Sequence, residues 1–345
     1  MSERWRRRPE GSNWGEFGPD DQLGRLNLLT PEKVFQGIAE VKEGRPFVLS
    51  LPLDRPGKGP HPARHPPRLA ATIRHGVPSY NFALSATDPD FYDIVSDDIA
   101  VIHTQFSTQW DSFAHWGAKF DADGDGVAEP VYYNGYSARD YVKGPPKDEP
   151  QRGYERFSGV RAEALGIEKM AETGVQGRGV MIDVRKHLGD GRALVGYDDL
   201  MRIMDKDKVG VEPGDMVCLH TGFAQRILEM GANTDVESLH HLCAVLDGRD
   251  ANLLKWITDS KLATLIADNY AVEAYPAKPA TGPRAALPIH EHCLFKLGVH
   301  LGEIWHLTPL ADWLREAGRN RFLLTAPPLR LPGAVGSPAT PVATV

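Results

Sequence analysis

The sequence predicts an α/β fold. Short runs of β-forming residues alternate with helical stretches that carry recognisable caps, and this alternation covers much of the 345-residue chain. A hydrophobic content of 41% is enough for a substantial core. Because no internal repeat or low-complexity linker divides the chain, we expect a single domain over residues 1–345, with an N-terminal arm over 1–30 and a Pro/Gly-rich C-terminal tail over 327–345.

The first helix is the best-marked element. Thr30 is a good N-cap, Pro31 suits the first helical position, and an apolar stripe follows until Gly44 ends the helix. Residues 56–67 are rich in Pro, Gly and His, which predicts a loop, and residues 333–338 predict a rigid loop near the C-terminus. The same patterns predict strands over residues 47–53, 179–184, 215–219, 262–267 and 322–325, and helices over residues 167–173, 198–204, 224–230, 251–258 and 308–317.

Composition argues against several classes of partner. The formal net charge is −7, so the chain lacks the basic surface of proteins that bind nucleic acid or anionic membranes. No apolar run approaches the roughly 20 residues that span a bilayer. Polar residues 9–13 follow the basic start, where a signal peptide would carry its apolar segment. Three widely spaced cysteines favour reduced thiols, and together these features predict a cytoplasmic protein.

Residues 105–115 carry amide, carboxylate and imidazole groups at close spacing. If the strand that begins near Val101 continues through this segment, His103, Gln105, Gln109 and Asp111 project from one face, because side chains alternate along a strand. Polar groups in such a row need water, a ligand or a metal ion. The segment therefore predicts a functional site.

This segment resembles the motif of the cyclase family of metal-dependent hydrolases, which includes kynurenine formamidase and isatin hydrolase. The motif reads His-x-Gly-Thr-His-x-Asp-x-Pro-x-His, and Thr108, Asp111 and His115 match it in place. Its two metal-binding histidines fall on Gln105 and Gln109. The chain is therefore similar to the family, as a variant with Gln at both motif histidines.

Further segments resemble family blocks in the same order, and they fall at residues 13–15, 18–24, 26–32, 133–135, 177–180, 213–215, 268–273, 301–304 and 333–338. The resemblance implies a swivelling β/β/α domain around a curved, barrel-like mixed sheet. It also implies a homo-oligomer that acts on a small-molecule substrate.

The resemblance assigns roles in the motif. It implies a metal ion held by Asp111 with Gln105 and Gln109, and His115 as the acid/base. An amide oxygen is a weaker and harder ligand than imidazole, so Mn²⁺, Mg²⁺ or Ca²⁺ is favoured over Zn²⁺, and metal-free chemistry stays possible. His103 is a candidate for a further nitrogen ligand or a substrate contact.

A second group lies late in the chain. In the family a late histidine and a downstream glutamate complete the site, and this implies roles for His290 and Glu303 as acid/base or metal-shell groups. His292 is an alternative to His290. Aromatic walls of a substrate pocket, or alternatively parts of the core, are Trp14, Trp110 and Phe113.

One acidic loop imitates a calcium site. Residues 121–126 carry oxygen donors at the first, third and fifth positions of an EF-hand loop and Gly at the sixth. The twelfth position is Tyr132 rather than a bidentate Glu, so an exposed acidic turn is the better interpretation.

The expected function is a hydrolase that opens a cyclic amide, a lactone or an aryl formamide by attack of water, with help from a divalent metal ion. Two alternatives stay open. One is a metal-independent lyase or cyclase that uses His115 and Glu303 for proton transfer. The other is a non-enzymatic binder of small molecules. Nucleotide cofactors are not implied, because the chain has no Rossmann or P-loop pattern.

Overall fold

A computed structural model of the chain describes residues 4–145, 159–232 and 234–345. Within these ranges a nine-stranded mixed sheet forms the centre of the molecule. Its strands, in chain order, are β1 (Pro46–Val48), β2 (Gln109–Asp111), β3 (Gln176–Asp183), β4 (Met216–His220), β5 (Thr264–Ala267), β6 (His300–Glu303), β7 (Arg321–Thr325), β8 (Gly336–Pro338) and β9 (Val342–Thr344).

The spatial order of the strands is β1-β9-β7-β3-β4-β5-β6-β2-β8. The neighbours from β3 to β6 run parallel, and the flanking pairs run antiparallel. The sheet curls into a half-barrel, so the predicted curved mixed sheet of an α/β fold is confirmed.

Helices flank the sheet. In the described ranges they are α1 (Pro31–Ala39), α2 (Ala138–Tyr141), α3 (Ile167–Glu172), α4 (Val184–Leu188), α5 (Tyr197–Asp207), α6 (Phe223–Met230), α7 (Val236–Leu239), α8 (Ala251–Ser260), α9 (Pro288–His290) and α10 (Thr308–Glu316). A π-helical segment, Glu291–Leu297, continues α9. None of them is long and apolar enough to cross a membrane.

The parallel strands are buried on both faces, as expected where helices cover a parallel sheet. Helix α1 packs closely on β3, because Gly37 lets the two backbones approach. A Cβ atom at Gly37 would lie 2.7 Å from the carbonyl oxygen of Gly177. The three cysteines are buried and unpaired with one another.

Two-stranded ribbons surround the sheet. They pair Arg68–Ala71 with Asp98–Val101, Ile73–Arg74 with Val77–Pro78, Phe82–Ala83 with Ile94–Val95, Ala118–Phe120 with Glu129–Val131, Val142–Lys143 with Arg161–Ala162, and Ala193–Val195 with Ala244–Leu246.

The predicted N-terminus of α1 is confirmed, since the Thr30 side chain accepts a hydrogen bond from the Lys33 amide. The loop predicted over residues 333–338 is wrong in part. Gly336–Pro338 forms the edge strand β8, where proline is tolerated because one side of the strand needs no ladder hydrogen bonds. Pairing with β2 outweighs the local preference for a turn.

The continuous strand predicted through residues 101–111 is also wrong. The strand Asp98–Val101 ends in its own ribbon, residues 104–108 turn, and only Gln109–Asp111 enters the main sheet. His103 and Gln105 therefore do not share a strand face with Asp111. The turn, rather than strand alternation, therefore determines whether the amide nitrogen or the amide oxygen of Gln105 faces the site.

Candidate active site

Strand pairing brings the motif together with the late glutamate. Strand β2 lies antiparallel to β6, and Gln109 is directly opposite Glu303. The Gln109 amide donates a hydrogen bond from Nε2 to Glu303 Oε2 over 3.0 Å. Asp111 lies two residues along β2 and therefore projects from the same face as Gln109.

The third element of the site is the helix that carries His290. This helix changes from α-helical to π-helical geometry immediately after His290. π-Helical segments are frequent at functional sites, because the extra residue in the turn changes the direction of a side chain. His290 Nδ1 lies 3.0 Å from Glu273 Oε1, and Nε2 lies 3.2 Å from Glu303 Oε1. Two carboxylates therefore hold the imidazole from both sides.

Asp111, His290 and Glu303 form a compact buried cluster. One ligand atom from each lies within 4.8 Å of the others. Asp111 is only 1% exposed, yet neither of its carboxylate oxygens has a hydrogen-bond partner among the described residues. Gln109 Oε1 is likewise buried and without a partner in that part of the chain. Buried oxygen atoms without a partner are rare, and an ordered water or a bound ion would satisfy them.

The pKa values of all three cluster residues depart from their usual ranges. Burial raises the pKa of Asp111 to about 7, and the negative charge of Glu303 adds to this effect. Burial opposes protonation of His290, but hydrogen bonds to Glu273 and Glu303 outweigh burial and raise the pKa of His290 to about 10. Burial also opposes ionisation of Glu303, yet its hydrogen bond and attraction to His290 leave its pKa below the usual range.

His115 lies beside the cluster at the end of the motif. Its Nε2 is 3.8 Å from Asp111 Oδ1. Burial, followed by the positive charges of His290 and Arg64, lowers the pKa of His115 to about 3. The imidazole is therefore neutral at physiological pH.

The other ring nitrogen of His115 contacts Gln105. Gln105 Nε2 lies 3.1 Å from His115 Nδ1, and Gln105 Oε1 accepts a hydrogen bond from the Thr104 hydroxyl. Gly336 makes room for this amide, since a Cβ atom there would lie 2.5 Å from Gln105 Nε2. The amide nitrogen of Gln105, rather than its oxygen, faces the site. The NH₂ group that faces the site in this orientation cannot ligate a cation, so the role of Gln105 as a metal ligand stays a prediction that needs the amide to turn over.

In this orientation Gln105 donates to Nδ1 of His115, which places the imidazole proton on Nε2. We expect Gln105→Glu to move that proton to Nδ1, because a carboxylate accepts hydrogen bonds and donates none. Nitrogen-15 NMR of histidine-labelled protein reads the tautomer directly, with the His115 signals assigned from their loss in His115→Ala. The same tautomer in wild type and Gln105→Glu would show that Gln105 does not position the ring.

The cluster opens into a cavity of about 410 Å³. This volume is in the range of small-molecule sites, about 300–1,000 Å³. His115, His290 and Glu303 contribute to its wall, and Asp111 lies behind them in the protein interior. Aromatic and apolar side chains form much of the remaining wall, namely Phe106, Trp116, Tyr270, Tyr275, Leu287 and Ile304.

The chain resembles a protein family and several solved structures. Residues 52–274, more than half of the chain, match a family model described as Cyclase, putative cyclase. The chain belongs to the cyclase family. No curated protein matches this cyclase-family member significantly.

Solved structures show the same fold. A crystal structure described as a novel cyclase is 31% identical to this family member, covers 97% of each chain and has a TM-score of 0.73. Isatin hydrolase A from Ralstonia solanacearum is 16% identical, with 87% and 91% of the two chains covered and a TM-score of 0.54. An isatin hydrolase bound to the product analogue thioisatinate is 14% identical, with 92% and 99% covered and a TM-score of 0.52.

Three aromatic side chains were predicted to wall the substrate pocket of this cyclase-family protein, and the structure corrects that prediction. Trp14, Trp110 and Phe113 are completely buried in the core. Trp14 packs edge-on against Phe295, Trp110 packs edge-on against a second tryptophan, and Phe113 stacks on a histidine ring. Large rings of this kind stabilise the core through buried area, and here none of them reaches the cavity.

The structure separates the remaining candidates. His290 lies in the cluster, whereas His292 points elsewhere and bonds the Thr258 hydroxyl through Nε2 over 2.8 Å. His103 packs edge-on against His65 and does not line the cavity, which corrects its prediction as a substrate contact.

The acidic loop at residues 121–126 forms a turn whose carboxylates accept bonds from its own backbone amides. Arg7 also pairs with Asp121 over 2.7 Å.

Sequence reasoning missed two residues of the site. Glu273 orients His290 and is only 1% exposed. It lies in a segment that resembles a family block, which was the available signal. Arg64 lines the cavity, but the Pro-rich loop that carries it gave no sign of this position.

The side chains of the cluster suit a divalent cation. Asp111 and Gln109 offer oxygen atoms that are buried and have no partner in the described ranges. Glu273 accepts from Nδ1 of His290, which is the arrangement that orients a histidine ligand through its other nitrogen. Three oxygen-donor side chains, two carboxylates and one amide, together with one imidazole are groups that ligate divalent cations.

Proposed function

We propose that this protein is a hydrolase that opens a cyclic amide, a lactone or an aryl formamide by attack of water on the carbonyl carbon. The observation that supports this most strongly is the buried Asp111, His290 and Glu303 cluster beside a small-molecule cavity, with both Asp111 oxygens lacking a partner among the described residues. Membership of the cyclase family and the similarity in fold to isatin hydrolases support the same reaction class.

In this proposal Asp111, Glu303, His290 and Gln109 Oε1 are the groups that would hold a divalent cation. Such a cation would polarise a carbonyl oxygen and lower the pKa of water. His290 would have to be neutral at Nε2 to serve as a ligand, because a ligand nitrogen must present a lone pair. Glu273 keeps the ring oriented throughout, since it bonds the other nitrogen.

His115 moves the proton in the proposed reaction. To act as a base it must present the lone pair of Nε2, the nitrogen that faces Asp111. A half-turn of the Gln105 amide would bring its oxygen to Nδ1 of His115, so that Nδ1 carries the proton and Nε2 presents the lone pair. The Thr104 hydroxyl permits this half-turn, because a hydroxyl can donate or accept a hydrogen bond. His115 then takes a proton from the attacking water and gives it to the leaving nitrogen or oxygen.

The cavity excludes bulk water from part of the substrate. Aromatic rings cover the apolar body of a bound molecule, while the reacting carbonyl faces His115, His290 and Glu303. Holding the reactants in this way contributes to the rate because the entropy of bringing them together is lost on binding.

A screen of lactones, cyclic imides, isatin-like lactams and aryl formamides tests the proposal. With Mn²⁺ present and ¹⁸O-labelled water as solvent, we expect at least one compound to give an acid that contains ¹⁸O by mass spectrometry. Chelation should abolish the turnover. Absence of turnover across the four classes would contradict the proposal, and product without ¹⁸O would show a lyase or cyclase instead.

A metal-independent lyase or cyclase is the second candidate. It is supported by His290, which as an imidazolium between Glu273 and Glu303 supplies a positive charge to the cluster without a metal ion. His115 and Glu303 would then transfer the protons. Turnover that persists in chelator and releases no ¹⁸O-labelled acid would favour this candidate.

A further inference from the structure

The cavity contains one arginine that the proposed reaction does not use. Arg64 lies in the loop between β1 and the first ribbon and is partly buried in the cavity wall. Its Nη1 donates to the backbone carbonyl oxygen of Gln105 over 2.9 Å. This bond fixes one arm of the guanidinium next to the turn that carries the motif.

The rest of the guanidinium has no acidic partner in the described ranges, since no aspartate or glutamate oxygen there lies within salt-bridge distance of Arg64. Most other part-buried arginines in the described ranges do have one, as Arg4 has in Asp20 and Arg185 has in Asp190. A part-buried guanidinium retains donors that need acceptors, and here they face a space large enough for a ligand.

The other charged and titratable groups of the wall do not satisfy Arg64. His290 and Glu303 are paired with each other, and His115 is neutral. Burial, followed by the charge of Arg64, lowers the pKa of His61, so His61 is neutral as well. Of the positively charged side chains that line the cavity, Arg64 is therefore the one with hydrogen-bond donors open to an anionic ligand.

The surroundings of Arg64 define the rest of the ligand. Phe106 and Trp116 line the same cavity together with Tyr270 and Tyr275. A guanidinium at the edge of an aromatic cavity fits a ligand with a flat apolar body and one planar anionic group. A carboxylate matches the guanidinium best, because two parallel hydrogen bonds form between the two planar groups.

We propose that the substrate is an aromatic carbonyl compound with a separate carboxylate substituent, and that Arg64 binds this carboxylate. The proposal depends on the hydrolase proposed above for the carbonyl that reacts. Arg64 then determines specificity by binding a part of the substrate that does not react. It contributes to substrate affinity rather than to the chemical step.

Binding of benzoate and benzamide tests this inference without any turnover. The two probes have the same shape and differ in charge. Calorimetric titration of the full-length protein with Mn²⁺ should show benzoate bound more tightly than benzamide. In Arg64→Gln we expect benzoate to bind about 10- to 100-fold more weakly, with benzamide unchanged.

Two variants control the experiment. Arg64→Lys keeps the charge but loses the bidentate geometry, so benzoate affinity should lie between wild type and Arg64→Gln. Arg202→Gln removes an exposed arginine of α5 that pairs with Asp199, and it should leave both affinities unchanged. Thermal unfolding checks that each variant is folded.

The results separate this inference from the proposed function. Equal binding of benzoate to wild type and Arg64→Gln, no measurable benzoate binding to wild type, or equal affinity of wild type for benzamide would each overturn it. Because these are binding measurements, they hold even if the screen for hydrolysis finds no substrate. Conversely, hydrolysis of uncharged substrates alone, at rates that Arg64→Gln leaves unchanged, would overturn the role of Arg64 and leave the hydrolase intact.

Discussion

We expect His115→Ala to lower kcat by about 10²- to 10⁴-fold, the usual contribution of a positioned acid/base. The ring faces the cluster through Nε2, is neutral near pH 7, and lies in the wall of the cavity. Its side chain is about one-fifth exposed, so its removal leaves no large cavity in the core and the free energy of unfolding should stay near that of wild type. Steady-state kinetics on a substrate from the screen, with chemical denaturation in parallel, measures both quantities.

His103→Ala is the matched control for that experiment. His103 lies close in sequence but packs against His65 outside the cavity, so kcat should change by no more than a few-fold. If His115→Ala keeps full kcat, or loses activity only because it unfolds, the acid/base is not His115. Catalysis would then have to be assigned to His290 and Glu303.

The second large effect is expected for Asp111→Asn, which should act in opposite directions on activity and stability. Loss of the carboxylate removes a charged ligand, and we expect kcat/KM to fall on the order of 10³-fold, since a metal ion contributes several kcal/mol to such reactions. In the metal-free protein the same change removes a buried carboxyl group that has no partner among the described residues and whose ionised form is destabilised by burial and by the charge of Glu303. The free energy of unfolding should therefore rise by about 1–3 kcal/mol.

Asp215→Asn is a matched control for stability. Asp215 is as buried as Asp111, but it pairs with Lys33 over 3.0 Å and with Arg178 over 2.8 Å. Breaking a paired buried carboxylate should destabilise the protein by about 3–5 kcal/mol. Urea denaturation of the two variants without metal compares them directly. Equal destabilisation by both substitutions would mean that Asp111 is a structural group rather than one that awaits a ligand.

Much of the fold follows from local sequence signals. The cap at Thr30 marked the start of α1, and α8 begins at Ala251, where it was predicted. Buried strands such as β4 and β5 lie within two residues of their predicted bounds. These elements are specified by caps and hydrophobic runs that act over a few residues.

The errors occurred where tertiary pairing decides the structure. Nothing local shows that the chain turns at Gln105, because that turn is stabilised by contacts with Gly336 and Arg64 from distant segments. Strand β8 was predicted as a loop for the same reason, since its partner β2 lies more than 200 residues earlier.

The site, like the fold, could be predicted only in part from the sequence. Resemblance to the family indicated Asp111, His115, His290 and Glu303, which the fold brings to one place. The orientation of the Gln105 amide depends on the Thr104 hydroxyl, and a sequence pattern does not contain that information.

The central claim is that the buried cluster holds a divalent cation. Anomalous X-ray scattering at the manganese edge, from crystals grown with MnCl₂, measures this directly. We predict one strong peak within bonding distance of Asp111, Glu303 and His290, and its absence from crystals of Asp111→Asn. Wild-type crystals with no peak at these three residues, or with an equal peak in Asp111→Asn, would contradict the account.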